Sequence, residues 1–426
     1  MRIIKNFDEL AATKDRKICL EIIEAGLSSI QPEKIIAENI SLTNSILTIQ
    51  DKTINLQEFE RIFLLGFGKG SARLAKIIEN LLGDFLTEGY VIDLADEQFN
   101  KIKFTKGTHP LPSQENFSFT QNVISKFSNL TQKDLVLVII CGGGSSMLIH
   151  PHNITLEEKI KVDRALLRSG ADITEMNTVR QHLSDVKGGS LAKILYPSTV
   201  VSLISSDIPG NNISYIASGP TAKDNTVIND AINILKKYNL EKELNLSHDA
   251  FVENPKEDKY FERVENIIIL SNKTALNAMQ KKAQELGLTP RIYSDKFESG
   301  ADDAGKILIN ETAHNEILLA GGETTVKVMD KNGKGGRNQE LVLAALPYLN
   351  SHVTIASFDS DGWDNTEFAG AIGDVLTSQK AENLGINPKD FLEHNNSFPF
   401  FDKIKGGIVT GRLPSNVSDL MVVIKT

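Results

Sequence analysis

Six times along this chain a short, nearly unbroken apolar run stops at a cluster of glycine and small polar residues: RIFLLGFGKGS, DLVLVIICGGGSS, VVSLISSDIPGNN, NIIILSNKTALNAMQ, EILLAGGETT and VTIASFDSDGWDN. Runs of Val, Ile and Leu without polar alternation suit strands buried on both faces, as in parallel or mixed sheets covered by helices. The pattern predicts an α/β protein. It also predicts where ligands bind. Each polar cluster follows the carboxyl end of its strand, and open α/β sheets take ligands in the crevice outside that rim. A βα turn uses glycine for its own geometry as well, so any single loop is equally well a turn without a ligand.

At 426 residues the chain has room for two or three domains. From about Lys223 to Glu265 it is rich in charge and poor in β-branched runs, with Pro255 inside the stretch. The boundary is placed there, giving domains 1–255 and 256–426. The formal net charge of -9 argues against nucleic acid as a partner but leaves room for a local cationic pocket. The two cysteines, Cys19 and Cys141, are too few for a disulfide framework or a structural zinc site, which favours a reducing compartment. The charged, amphipathic start of the chain reads as a first helix rather than a signal. No apolar run reaches the ~18 residues that span a bilayer. A cytoplasmic protein without a membrane partner is expected.

The loop GFGKGS admits two fingerprints. A nicotinamide-binding turn wants G-x-G-x-x-G with an acid ~20 positions on. Gly66 and Gly68 fit, Ser71 stands at the third glycine, and Asp93 ends the next strand as a ribose acceptor. The ATP-binding G-x-x-x-x-G-K-[ST] spacing is absent. Lys69 supplies a cation beside a helix N-terminus, a favourable place for an anion, or else it is a solvated surface lysine.

The other loops add to this one. Gly142, Gly143 and Gly144 offer backbone donors for close approach, followed by the hydroxyls of Ser145 and Ser146. Arg180, His182 and Lys187 are interleaved with small polar residues. Arg180 suits a carboxylate or phosphate through its planar fork, whereas His182 reads as structural or substrate-bonding. Asp207 ends a strand, where it serves either magnesium or an Asx-turn, and is followed by Ser218, Gly219 and Thr221. Glu323 follows a Gly-Gly turn, and Arg337 and Asn338 stand just before an amphipathic helix. Asp359, Asp361 and Asp364 crowd one loop, where they bind magnesium or are ordinary loop acids.

Together these segments, with THPLPSQEN and EMNTVRQHLSDVKGG, resemble the glycerate 2-kinase family, which contains the MOFRL domain and whose members are often labelled hydroxypyruvate reductases. The resemblance runs from Gly66 onward. It implies two three-layer α/β/α domains, an N-terminal Rossmann-like parallel sheet and a C-terminal mixed sheet, with an interdomain cleft. It also implies ATP-dependent, Mg2+-assisted phosphorylation of the 2-hydroxyl of D-glycerate. On that resemblance Lys69 and Arg337 match the proposed catalytic lysine and arginine. Gly68, Gly142, Gly143, Gly144, Ser145, Ser146, Arg180, Lys187, Ser218, Gly219, Thr221, Glu323 and Asn338 are expected to hold substrate and phosphate, and Asp207, Asp361 and Asp364 are expected to hold metal. A homodimer is a possible assembly.

Three features depart from the family pattern: Asn211 replaces an acid, Arg412, Leu413 and Pro414 alter a loop, and Trp363 replaces an aliphatic residue. Two other functions compete with the kinase. An NAD(P)-dependent hydroxypyruvate reductase would use Gly66, Gly68 and Asp93, but lacks a His–acid pair beside an arginine. A non-catalytic small-anion-binding protein is the second.

Overall fold

The computed structural model describes residues 2–426, which form two compact units. One contains residues 35–206 and 211–269. The other contains the chain up to Lys34, residues 207–210 and residues 270–426.

The first unit opens with a three-stranded antiparallel sheet, β1 (Ile40–Thr43), β2 (Ile46–Ile49) and β3 (Lys52–Asn55). Its main sheet comprises β4 (Arg61–Phe67), β5 (Glu88–Asp93), β6 (Ile102–Lys106), β7 (Asp134–Ile140), β8 (Thr199–Ser205) and β9 (Val264–Leu270). Their order is β6-β5-β4-β7-β8-β9, and the four pairings from β6 to β8 are parallel. All seven residues of β7 are buried, which is what its unbroken apolar sequence anticipated. The strand order reverses between β4 and β7, the place where doubly wound sheets open a crevice.

The second unit has a six-stranded mixed sheet of β10 (Pro290–Gly300), β11 (Glu316–Thr325), β12 (Val353–Asp359), β13 (Gly370–Gly373), β14 (Gly407–Ile408) and β15 (Asp419–Lys425). The order is β10-β11-β15-β12-β13-β14. Only β10 and β11 run parallel; β15 lies between β11 and β12, antiparallel to both. Helices Ala301–Glu311 and Arg337–Ala345 pack their apolar faces into this unit's core.

These units divide the chain differently from the expected boundary at 255. The helix Lys14–Ser29 belongs with the later residues, because its apolar face packs on helix Asn272–Glu285 and Arg16 is locked to Asp374. The guanidinium donates to both carboxylate oxygens at 2.7 Å, with both side chains buried. The charged stretch after Lys223 is part of a folded unit. It folds into helix Ile228–Lys237, whose apolar face joins a cluster with helices Leu156–Ser169 and Ile173–His182. Among the described residues no helix is long and apolar enough to cross a membrane.

Candidate active site

In the first unit, the turn after β4 is shaped by close approach to the end of β7. Gly68 has a φ of +104°, and a Cβ there would collide with the carbonyl of Cys141. The Lys69 amide then donates to the carbonyl of Gly142 at 2.8 Å. Phe67 and Ile140 are register partners, so the two glycine turns lie side by side at the reversal of strand order. Gly70 caps helix Ser71–Leu82, and the Lys69 ammonium makes no hydrogen bond among the described residues. An unpaired cation beside a helix N-terminus and two glycine turns suits an anion.

The turn after β7 is held from two sides. The imidazole of His109, from the loop after β6, lies against Gly143 (φ +75°), where a Cβ would stand 2.8 Å from His109 Cδ2. On the other side are Ala217, Ser218 and Gly219, with φ of 51°, 62° and 62°. Two non-glycine residues in succession in the left-handed region are strained and persist only when their surroundings fix them. Here Ser218 Oγ lies 2.9 Å from Ser145 Oγ and donates to Asn177 Oδ1 at 2.9 Å. Gln181 Nε2 donates to the carbonyls of Ser214 and Ser218 at 3.1 and 3.3 Å. Beneath the turn, Lys187 Nζ donates to the carbonyls of Ser145 and Leu148 at 2.7 and 3.3 Å. Burial, with the neighbouring Lys159 charge adding to it, pushes the Lys187 ammonium down to about 7. Lys187 therefore shapes the serine turn from below.

Other expected residues are employed elsewhere. Arg180 Nε donates to Asp163 at 3.0 Å, and Asp163 also receives the buried Lys159 at 2.7 Å. Thr221 is buried, accepting from Ser202 Oγ at 3.1 Å and donating to Asn266 Oδ1 at 2.7 Å, so it ties strands rather than lining an opening. His182 is structural: its ring nitrogens lie 2.9 Å from the Val252 carbonyl and 3.0 Å from Thr226 Oγ1. Asp93 is 2% exposed and lies at the N-terminus of helix Ser71–Leu82, accepting from the amides of Ala72 at 2.9 Å and Leu94 at 2.6 Å. Burial pushes its carboxyl up to about 6 in spite of those donors.

In the second unit Arg337 starts its helix facing carboxylates on three strands. Its Nε donates to Asp419 Oδ2 at 2.6 Å, Nη1 to Glu323 Oε1 at 2.6 Å and Nη2 to Asp359 Oδ2 at 3.4 Å. Burial works against the guanidinium's charge, but these carboxylates outweigh it and hold its pKa above the ordinary value. The acids are crowded in turn. Burial, then Asp419 and Asp361, push Asp359 well above the ordinary carboxyl range. Glu323 is raised by burial, with Asp419, Asp207 and Glu298 adding to it against Arg337. Asp207, Glu323, Asp359, Asp361 and Asp419 thus share a neighbourhood with one guanidinium.

Asp364, expected to bind metal, is instead committed to the start of this helix. Its carboxylate accepts from the amides of Asn338 at 3.2 Å and Gln339 at 2.9 Å, and from both their side-chain NH2 groups at 3.2 and 3.0 Å. Burial, then Asp419, raise it to about 6. Asn338 Nδ2 also donates to Asp419 Oδ1 at 2.8 Å, which makes Asn338 a brace for that carboxylate. Asp361 keeps a half-buried carboxylate that accepts from the Trp363 amide at 2.9 Å. Among the described residues no three His, Cys, Asp or Glu side chains are arranged to hold a metal ion. The departures at Trp363 and Arg412 prove to be one feature, since the guanidinium lies 4.1 Å over the indole.

Sequence reasoning did not single out Asp419, His109 or Asn177, which the structure brings to these turns and to Arg337. Asp419 had a signal, a carboxylate opening an otherwise apolar run, DLMVVIK. His109 stood in THPLPSQEN, and Asn177 had nothing to distinguish it from a helix-surface amide.

Comparisons with known proteins identify the family. Residues 18–253 match the family described as Domain of unknown function (DUF4147), and residues 316–419 match the MOFRL family. A glycerate 2-kinase of Pyrococcus horikoshii is 32% identical over 96% of this chain and 97% of its own. A relative from Agrobacterium vitis with a provisional hydroxypyruvate reductase name is 34% identical over 85% of this chain and 99% of its own. The crystal structure of a glycerate kinase from Thermotoga maritima, 30% identical, matches with a TM-score of 0.85 over 96% of this chain and 99% of that one. A full-length likeness in both sequence and fold establishes that this chain belongs to the glycerate 2-kinase family, with its DUF4147 region followed by its MOFRL region.

Proposed function

We propose that the protein transfers the γ-phosphoryl group of ATP to the 2-hydroxyl of D-glycerate, giving 2-phosphoglycerate and ADP. The observation that carries this reading over a nicotinamide-dependent reductase is the place of Asp93. Its oxygens are taken by the amides of Ala72 and Leu94, so the ribose acceptor that a dinucleotide needs is not presented, while the Lys69 ammonium makes no hydrogen bond among the described residues. A phosphate site without a ribose acid fits phosphoryl transfer.

Phosphoryl transfer asks mainly for positioning and charge stabilisation. Lys69 would neutralise the transferring group, and the amides of the Gly142–Gly144 turn with Ser145 and Ser218 would hold phosphate or substrate oxygens. Arg337, aimed by Asp419, would stabilise the equatorial oxygens or hold the substrate. Mg2+ fits the all-carboxylate donor set of the second unit, where Glu323, Asp359 and Asp419 have raised pKa values although they share the guanidinium of Arg337. Asp207 and Asp361 would hold it, and Asp364 would not. Magnesium in kinases is bound by one or two carboxylates together with substrate phosphates, so no cage of three is needed. When bound, the ion supplies charge neutralisation on the phosphate oxygens. Cys19 and Cys141 are both buried and not joined in a disulfide, in keeping with a cytoplasmic setting.

The test incubates the protein with D-glycerate, ATP and Mg2+ and couples the product to enolase. Prompt coupling identifies 2-phosphoglycerate. Silence there, with NADH or NADPH oxidation by hydroxypyruvate in a parallel tube, would overturn the reading in favour of the reductase.

A further inference from the structure

The proposed transfer leaves one proton without a destination: that of the 2-hydroxyl of glycerate. A group that takes it must have a free lone pair at the phosphate-binding turns. Around those turns two of the ionisable side chains are spent. Asp93 is held at the helix N-terminus by the amides of Ala72 and Leu94, and Lys187 is buried with its ammonium on two carbonyls. Lys69 is a cation.

His109 differs from all of these. Its imidazole is half-buried, makes no hydrogen bond among the described residues, and lies on Gly143, with Nε2 3.1 Å from where a Cβ of that residue would be. Its loop is fixed to the serine turn rather than draped over it. The fully buried Asn116 accepts from the Thr108 amide at 3.0 Å and donates to the Ser146 carbonyl at 2.9 Å, while Ser146 Oγ donates to the Pro110 carbonyl at 2.8 Å. One side of the loop and the other are thus bonded to the turn that His109 covers. Burial, and then the Lys69 charge, hold the ring neutral at physiological pH, pushing it down to about 4. A neutral imidazole has one nitrogen able to accept a proton.

We infer that His109 is a catalytic residue of the proposed reaction, accepting the proton of the substrate's 2-hydroxyl. This rests on the kinase reading above. As the bond forms between the hydroxyl oxygen and the γ-phosphorus, the proton passes to the free ring nitrogen. The bond from phosphorus to the bridging oxygen breaks, ADP leaves with that electron pair, and the imidazolium later returns its proton to water. The approaching phosphates offset the charge of Lys69, the lesser of the two influences that weaken the ring as a base; burial, the larger, stays.

The test compares His109→Gln with the wild-type protein in the enolase-coupled assay, with thermal melting as the check on folding. His109→Asn is the second variant should the first melt early. Expected is a fall in kcat of about 100-fold or more, the usual contribution of a positioned base. KM for D-glycerate and for ATP should stay within about threefold, since the ring acts in the transition state. A folded variant with kcat near the wild-type value, or one whose loss sits wholly in KM, overturns the inference. Wild-type protein silent in the same assay would instead overturn the kinase reading itself.

Discussion

Arg337 and Asp419 are joined through the guanidinium Nε at 2.6 Å, and the other oxygen of that carboxylate receives Asn338 at 2.8 Å. Asp419 is fully buried. It therefore sets the direction in which Arg337 presents its remaining donors, and it does so without needing to touch a substrate. Asp419→Asn should cost about 100-fold in kcat/KM by misaiming the arginine. Steady-state kinetics within about threefold of wild type would show that Arg337 is aimed by something else.

Lys69→Ala and Arg337→Ala should each lose well over ~10-fold in turnover, as charge-stabilising groups generally do. A near-wild-type rate in either variant would remove that residue from the mechanism.

The pair formed by Arg16 and Asp374 makes a claim about stability. Both side chains are buried, and the guanidinium also donates to Thr377 Oγ1 at 2.7 Å. Arg16→Met leaves a carboxylate uncompensated in the interior, which typically costs about 3–5 kcal/mol. Urea denaturation should show the unit that holds helix Lys14–Ser29 unfolding at clearly lower denaturant. Unchanged midpoints would mean that water reaches Asp374 in the variant.

Asp93 carries a pH signature. Its folded carboxyl is raised to about 6 by burial, so between its ordinary pKa and that value the folded state binds more proton than the unfolded one. Its contribution to stability is whole below the ordinary carboxyl pKa and is lost as pH rises through about 6. Asp93→Asn should therefore flatten the fall in unfolding free energy between about pH 4 and pH 6.5, by up to about 3 kcal/mol for a shift of this size. Asp364 shares the same direction and value, so part of the fall should remain. A parallel pair of stability curves for the variant and the wild type would sink the argument.

The chain has a single tryptophan, and it lies under Arg412. Arg412→Ala should uncover the indole and shift its emission to longer wavelength, which fluorescence of the folded protein reads directly. An unchanged spectrum would place the guanidinium elsewhere in solution.

Much of the architecture was legible because burial on both faces leaves unbroken apolar runs. The segments RIFLLGF, DLVLVII and VTIASFD became strands β4, β7 and β12 with their polar clusters at the carboxyl ends. What stayed hidden depends on partners remote in sequence. Nothing near Arg16 announces Asp374, so the first helix was assigned to the wrong neighbours. Asp364 looked like a metal ligand because it shares a loop with two other acids, whereas its real partners are the helix amides of Asn338 and Gln339. Asp93 matched a ribose acceptor by spacing alone, and spacing does not say which way a carboxylate points.

The antiparallel place of β15 between β11 and β12 bears on how the chain is made. Its neighbours and the helix Lys14–Ser29 emerge from the ribosome long before residues 419–425, yet they cannot close their sheet without it. Until then β11 and β12 each present an open edge, the kind of surface that pairs with other chains. This unit must therefore complete itself after synthesis of its central strand. A chain interrupted before Asp419 would lack the partner of Arg337 and would also carry two unprotected edges where a continuous sheet belongs.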